Sequence, residues 1–311
     1  MSGKRLLSVG ALTQDTIFKL AAMPAGAGKF IPDDAVQIAA GMATAAAASA
    51  ARQGGDVSLW ASVGGDAAGR DLLRDIAAEG VDCSLVRTVH EGRSAIATIL
   101  VDEAGERLII PYYDPLTQAD PDALPCPIAG RFDAVLVDVR WPGAAALALG
   151  AARDAGIPAI LDADVGPRPV LERLARLATH IAASRPAAAI LCGEDASTEA
   201  ATVAIAEMYP EATVLVTDGG RGAFWFDRAT GTVRHLAAPQ IKAVDTLSAG
   251  DVFHGCLALA IGEGWPLVDA IRHASAAAAI KCLRFGGWLG APSRAETLAF
   301  LDGGTGELLR A

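Results

Sequence analysis

The chain has 311 residues, 52% of them hydrophobic, with a formal net charge of −10 at pH 7 and a pI of about 5.0. A chain of this length and composition buries a large core without the help of metals or disulfides. The acidic balance disfavours a surface for nucleic-acid phosphates or anionic lipid, so an anionic substrate would require a local basic pocket. We therefore expect a soluble globular protein with no nucleic-acid or membrane partner.

The five cysteines are widely spaced and include no C-x-x-C pair suited to zinc binding or dithiol chemistry. Free thiols in a reducing compartment are the simplest interpretation. The apolar run near the N-terminus lacks a signal-peptide pattern, and the uncharged residues 36–51 are too few and too rich in alanine to span a bilayer. We expect a cytoplasmic protein and predict no protein metal site.

Short apolar runs alternate with helical segments rich in alanine and leucine through most of the chain. Strands are predicted at residues 6–9, 57–63, 134–139, 159–162 and 213–217, and helices at 41–53, 65–79, 144–155 and 170–178. This alternation is typical of a parallel sheet covered by helices on both faces. The predicted fold class is α/β.

Residues 15–37 and 94–113 break this alternation. The second segment has two apolar runs around a turn-like stretch at 102–105, which predicts a hairpin outside the main sheet. Together the two segments predict a small β lid over a cleft. Because no repeat, charge block or linker divides the chain, we expect a single domain over residues 1–311 with a discontinuous lid.

The stretch most informative about chemistry is residues 245–251, which read Asp-Thr-Leu-Ser-Ala-Gly-Asp and precede an apolar helical run. A helix that begins here would direct the N–H groups of Ala249, Gly250 and Asp251 at the charge of a transferring phosphoryl group. Asp251 could then accept the proton of the attacking hydroxyl. For an isolated Asp, a capping or helix-dipole role is the alternative.

This stretch resembles the D-T-x-G-A-G-D signature of the ribokinase/PfkB sugar kinases, and the resemblance extends over nearly the whole chain. It implies a ribokinase-like, doubly wound, mainly parallel sheet flanked by helices, with a small β lid that often forms a dimer. It also implies ATP and Mg²⁺ as cofactors, an optional monovalent cation, and Asp251 as the base. Ser248 stands where the family has a glycine; we expect it to cap the helix, whereas a positive φ would strain it.

The family's sugar-binding positions match Asp15 and the Gly41-Met42 turn, with Ala40 in place of the usual first glycine. A solvent-facing turn for Asp15 and tight helix packing for the Ala/Gly tract are the alternatives. By the same resemblance, the nucleotide would contact six residues: Thr217, Gly219, Gly220, Gly222, Ala279 and Gly286. A hairpin turn explains the glycine cluster equally well, and helix packing the alanine.

One family position departs from the pattern. Where the family often has N-x-x-E, used through water to organise Mg²⁺, this chain has Ser184-Arg185-Pro186-Ala187. The carboxylate is replaced by Ala187, so the protein anchor for Mg²⁺ is left open.

Several stretches resemble sulfofructose kinases, which phosphorylate 6-deoxy-6-sulfofructose. Arg140 and Lys29, with Arg107 at lower weight, would bind the sulfonate, although a salt bridge and a solvated lid charge are the respective alternatives for Arg140 and Lys29. Pro111 stands where that subfamily would supply an Asn donor. Kinases for fructose, fructose 6-phosphate, ribose, 2-keto-3-deoxygluconate or a nucleoside therefore stay open, as does a non-catalytic sugar-binding protein.

Overall fold

The computed structural model describes residues 3–103 and 105–303. In chain order the strands are β1 Arg5–Val9, β2 Thr13–Leu20, β3 Asp34–Ala40, β4 Asp56–Trp60, β5 Ser62–Gly64, β6 Arg87–Val89, β7 Ala95–Asp102, β8 Arg107–Tyr112, β9 Ala134–Val137, β10 Ala159–Ala163, β11 His180–Ser184, β12 Thr213–Thr217, β13 Ala223–Asp227 and β14 Thr232–Leu236. The α-helices are α1 Met42–Arg52, α2 Ala67–Ala78, α3 Pro115–Gln118, α4 Pro142–Asp154, α5 Arg168–Ala175, α6 Arg185–Cys192, α7 Thr198–Met208, α8 Ala249–Gly262, α9 Leu267–Cys282 and α10 Arg294–Leu301.

The main sheet has eight strands in the order β14-β13-β12-β11-β10-β9-β1-β4. The six strands from β12 to β4 are parallel, and β13 and β14 add an antiparallel edge. This order confirms the predicted α/β class with a mainly parallel sheet.

Side chains alternate between two cores, one on each face of the main sheet. Leu6, Leu136 and Ile160 pack with α1, α8 and α9 on one face. Leu7, Val137 and Leu161 pack with α4 to α7 on the other. Burial on both faces explains why these strands read as continuous apolar runs.

A second sheet, in the order β3-β2-β7-β8, is formed by the segments that the sequence predicted as a lid, and we call it the lid sheet. The antiparallel pairing of β7 with β8 confirms the predicted hairpin. Alternate residues of β7, such as Ala97 and Ile99, are buried, whereas Ile96 is exposed. The sheet therefore has a covered inner face and a partly apolar outer face.

Two strand predictions were wrong in their extent. The segment 57–63 is not one strand, because the chain leaves the main sheet at Ala61, whose carbonyl accepts the Arg87 N–H, and continues in β5 beside β6. The segment 134–139 ends at Val137, because the Asp138 carboxylate turns to accept backbone N–H groups.

The five cysteines are free thiols. Among the helices of residues 3–103 and 105–303, none is both long and apolar enough to cross a membrane.

Candidate active site

Two cavities meet at the N-terminus of α8, near the carboxyl ends of the parallel strands, where α/β sheets place their ligands. The first, of about 410 Å³, is lined mainly by the glycines of the turn 219–222, the segment 238–243, α8 and α9, and we call it the nucleotide cavity. The second, of about 430 Å³, lies under the lid sheet, and we call it the acceptor cavity. Three residues line both: Arg107, Thr217 and Gly250.

The first turn of α8 faces the junction of the cavities. Ala249 and Gly250 line the nucleotide cavity, whereas Ser248 and Asp251 line the acceptor cavity. Nothing lies within 4 Å of the place where a Cβ of Gly250 would be. A helix N-terminus with open space beside it is suited to an anion.

Ser248 does not cap the helix with its side chain, which corrects our expectation. Its backbone is left-handed, with φ of 59°, and it makes no side-chain capping hydrogen bond. Within the described part of the chain it is the one non-glycine residue with positive φ. We expected the backbone of Ser248 to be strained if its φ were positive, and the observed φ meets this condition.

Asp251 is partly exposed where it lines the acceptor cavity, but its environment disfavours the charged form. Burial and then the charge of Asp162 raise its pKa to about 8, with Asp164 adding to the rise. His254 and the Ser248 hydroxyl offset part of this effect. A carboxylate tuned towards neutral pH in a cavity has the character of a general base.

A buried ion pair holds the loop before α8. The Lys281 ammonium lies 3.2 Å from Asp245 Oδ2 and donates to the Asp245 carbonyl at 2.6 Å. Burial lowers the Lys281 pKa, while Asp245 opposes the change. Asp245 Oδ2 also accepts the N–H groups of Gly286 and Gly287, at 3.0 and 2.9 Å. Gly286 therefore supports this loop. It is not among the residues that line the nucleotide cavity, and its contact with the nucleotide stays a prediction.

The structure brings the predicted sugar-binding residues Asp15, Gly41 and Met42 together in the acceptor cavity. Asp15 accepts a hydrogen bond from Thr13 Oγ1 at 2.6 Å, and burial raises its pKa to about 6. Gly41 has φ of 104°, and a Cβ there would lie 2.5 Å from the Ala11 carbonyl oxygen. Glycine is required at this turn.

The sequence analysis did not predict Asp138, whose carboxylate holds the backbone beside this turn. Its carboxylate accepts the N–H groups of Ala11, Ala43 and Arg140 at 2.8 to 3.0 Å. Burial raises its pKa to about 6. Its place at the carboxyl end of a predicted strand was the available signal.

The three predicted anion-binding cations have different environments. Arg140 lines the acceptor cavity but also lies 3.3 Å from Asp164 and donates to the Val165 carbonyl, so the salt-bridge alternative is realised as well. Arg107 lines both cavities and donates to Thr246 Oγ1 at 3.1 Å. Lys29 is exposed in the loop between β2 and β3 and is not among the residues that line either cavity.

The predicted nucleotide residues Thr217, Gly219, Gly220, Gly222 and Ala279 all line the nucleotide cavity. Gly222 has φ of 98°, and the Leu236 carbonyl fills the place of a Cβ. This turn joins two antiparallel strands, so the hairpin interpretation is correct for its geometry and compatible with the binding role.

The acceptor cavity also contains Asp162, Asp164 and His254, which we did not predict. His254 Nδ1 lies 2.9 Å from Asp162 Oδ2. The Asp-x-Asp at the end of the predicted strand β10 was a signal in the sequence, but its pairing with a helix about 90 residues later was not.

At the position that departs from N-x-x-E, Ser184 accepts the Ala187 N–H and donates to Asp164 Oδ1 at 3.0 Å. Ala187 is buried and brings no carboxylate. Within the described residues, no three His, Cys, Asp or Glu side chains are grouped so as to hold a metal ion.

Comparison with known proteins agrees with this geometry. The family described as pfkB family carbohydrate kinase matches residues 4–294. The chain is 28% identical to a ribokinase of Haemophilus influenzae, over 82% of this chain and 85% of that protein. It is 29% identical to an ATP-dependent ribose-1-phosphate kinase of Halopiger xanaduensis, over 96% of this chain and 98% of that protein.

Among solved structures, a protein from Agrobacterium tumefaciens provisionally named a ribokinase superposes with a TM-score of 0.93 and 45% identity, covering 97% of this chain and 98% of the other. The Arabidopsis thaliana ribokinase complexed with ribose and ATP has a TM-score of 0.80 at 22% identity, covering 97% and 99%. At this level of identity, the similarity to the Arabidopsis protein shows that the two chains share a fold.

Proposed function

The chain belongs to the pfkB family of carbohydrate kinases and is an ATP-dependent sugar kinase, and from this premise we propose that Asp251 is its catalytic base. The observation that carries the proposal is the meeting of the two cavities at the first turn of α8, with Asp251 on the acceptor side. With a nucleotide in one cavity and a sugar in the other, the γ-phosphate and the sugar hydroxyl would meet beside Gly250, which lines both cavities.

In this mechanism Asp251 accepts the proton of the sugar hydroxyl as that hydroxyl attacks the γ-phosphate, and ADP leaves as the bond between the γ-phosphorus and the bridging oxygen breaks. The N-terminus of α8 stabilises the charge on the transferring group. The lid sheet covers the acceptor cavity and excludes water, which would otherwise attack ATP. Each of these roles belongs to residues of the cleft already described.

We also propose that Mg²⁺ accompanies ATP and neutralises charge between its phosphates. With Ala187 in place of a carboxylate, the phosphates and water would supply most of its ligands. A monovalent cation is an optional addition.

For the acceptor, we propose a primary hydroxyl of a ketose, with an anionic ketose such as 6-deoxy-6-sulfofructose as the first candidate. Two arginines that line the acceptor cavity, Arg140 and Arg107, support an anionic substituent. Pro111 also lines this cavity and supplies no donor. The second candidate is ribose or a ribose phosphate, which the names of the relatives in Haemophilus and Halopiger favour.

The test is ADP release in the presence of Mg²⁺ and ATP across 6-deoxy-6-sulfofructose, fructose 6-phosphate, fructose, ribose, ribose 1-phosphate and 2-keto-3-deoxygluconate. We expect the largest kcat/KM with the sulfonated ketose, and a selective loss of that preference in Arg140→Gln. A larger kcat/KM for ribose or its phosphate would replace the first candidate by the second. No turnover with any of these sugars would contradict the proposed acceptor class.

We propose in addition that the outer face of the lid sheet joins two copies of the chain. Ile96, Leu108, Ile110 and Tyr112 lie on this face and are 42 to 58% exposed. A cluster of exposed apolar side chains on one sheet face is typical of an interface.

A further inference from the structure

Asp162 and His254 form a buried polar pair in the wall of the acceptor cavity. His254 Nδ1 lies 2.9 Å from Asp162 Oδ2, and both side chains are 3% exposed. The contact has the distance of an ion pair without the angle of a hydrogen bond. Within the described residues, Asp162 Oδ1 and both ring nitrogens of His254 have no hydrogen-bond partner. Buried polar atoms without partners point to a charge interaction or a ligand.

The charges around His254 are mainly acidic. Asp251 lies three residues earlier on the same helix, and Asp162 and Asp164 come from the end of β10. Helix residues three apart lie on one face, so Asp251 and His254 face the same cavity.

The nearby cations of the described chain already have partners. Arg140 lies 3.3 Å from Asp164, and Arg107 donates to Thr246. From α9, Lys281 pairs with Asp245. The side of α1 that packs on α8 presents alanine, serine and threonine. Tyr113 lies across the cavity, and burial raises its pKa to about 12, so it is neutral.

We propose that the Asp162–His254 pair positions a charge beside the base: Asp162 holds the imidazole in its charged form, and this charge favours the ionised form of Asp251. The inference rests on the proposed role of Asp251. Like charges in a buried site cannot all be ionised without a counter-charge, and an imidazolium can supply one.

The directions of the pKa shifts agree with the geometry. Burial alone lowers the pKa of His254, but the charge of Asp162 and its contact with the ring outweigh burial, and the pKa is raised. In turn, His254 lowers the pKa of Asp251 against burial and Asp162. The two groups therefore titrate as a coupled pair.

The first test is NMR titration of the five histidines in the protein without ligands, with His254→Gln to assign the resonance of His254. We expect His254 to be charged at pH 7 in the unsubstituted protein, and Asp162→Asn to lower its pKa by about one unit or more. The control is His273, a buried histidine 2.9 Å from Gln53 Oε1, whose resonance should not respond to Asp162→Asn. A neutral His254 at pH 7 overturns the inference.

The second test is the pH profile of kcat/KM with the sugar of the panel that is turned over fastest. Because Asp251 must lose its proton to act as base, kcat/KM should rise with pH and level off above about 8. His254→Gln should move this rise to higher pH by about one unit. An equal loss at every pH would mean that His254 has a structural role only. Since the NMR titration needs no substrate, its result is separate from the success or failure of the proposed kinase reaction.

Discussion

At the scale of single residues, Ser248 shows a local conflict at the site. The chain must turn sharply to place the first turn of α8 at the junction of the two cavities, and Ser248 makes this turn with φ of 59°. For residues other than glycine the left-handed conformation costs about 1–2 kcal/mol. The protein tolerates this cost where the backbone faces the junction of the two cavities.

Replacing Ser248 with glycine should therefore stabilise the protein by about 0.5–1 kcal/mol, because glycine adopts this conformation without strain. Urea unfolding followed by circular dichroism measures the change. Ser197→Gly is the matched control: Ser197 has φ of −62° and accepts the Ala200 N–H at 3.1 Å as a true cap of α7. Glycine there should lower stability by a few tenths of a kcal/mol. A loss of stability in Ser248→Gly would contradict the strain.

The sequence predicted those site residues whose roles depend on neighbouring residues in the chain. It did not predict roles that depend on contacts between distant segments. Asp251, Gly250 and Gly41 lie in short motifs whose backbone requirements are visible in the sequence. The contact of the Gly286 N–H with Asp245, 41 residues away in the chain, could not be predicted from the local sequence. The Asp162–His254 pair joins a strand end to a later helix and becomes visible only when the sheet is assembled.

At the scale of secondary-structure elements, the β7–β8 hairpin has two unlike faces. Ile99 and Val101 of β7 point into the protein, and Ile109 of β8 lines the acceptor cavity. The opposite face carries Ile96 and Ile110, which are exposed. The two apolar runs around the turn-like stretch 102–105 predicted the hairpin, but they could not show which face of it meets the cavity.

Ile110→Glu should convert the proposed dimer to a monomer, because it places a charge among the exposed apolar side chains of the outer face of the lid. Light scattering after size-exclusion chromatography measures the mass. The control is Ile31→Glu, which changes an isoleucine that is 80% exposed in the loop before β3 and outside the lid sheet. We expect that variant to retain the mass of the unsubstituted protein. A monomeric unsubstituted protein would contradict the proposed interface.

At the scale of the whole molecule, the carboxyl ends of the parallel strands and the N-terminus of α8 bring distant segments to one cleft. The buried pair of Asp245 and Lys281 ties the loop before α8 to the end of α9. Removing one partner of such a pair leaves an uncompensated buried charge, so the pair strongly stabilises the position of the loop beside the cleft.

The alternation of strands and helices predicted the sheet. It could not predict that the chain crosses into the small β5–β6 sheet at Ala61, because that change depends on pairing with β6.

The measurement that tests the account most directly is ADP release by Asp251→Asn, with its fastest sugar, Mg²⁺ and ATP, beside calorimetric binding of ATP. Asparagine keeps the shape of the side chain and removes the base, so kcat should fall by about 10²–10⁴-fold while the Kd of ATP is unchanged. Asp75→Asn, an exposed change on α2, should retain full turnover. Turnover within about tenfold of the unsubstituted enzyme in Asp251→Asn would contradict the role of Asp251 as the base.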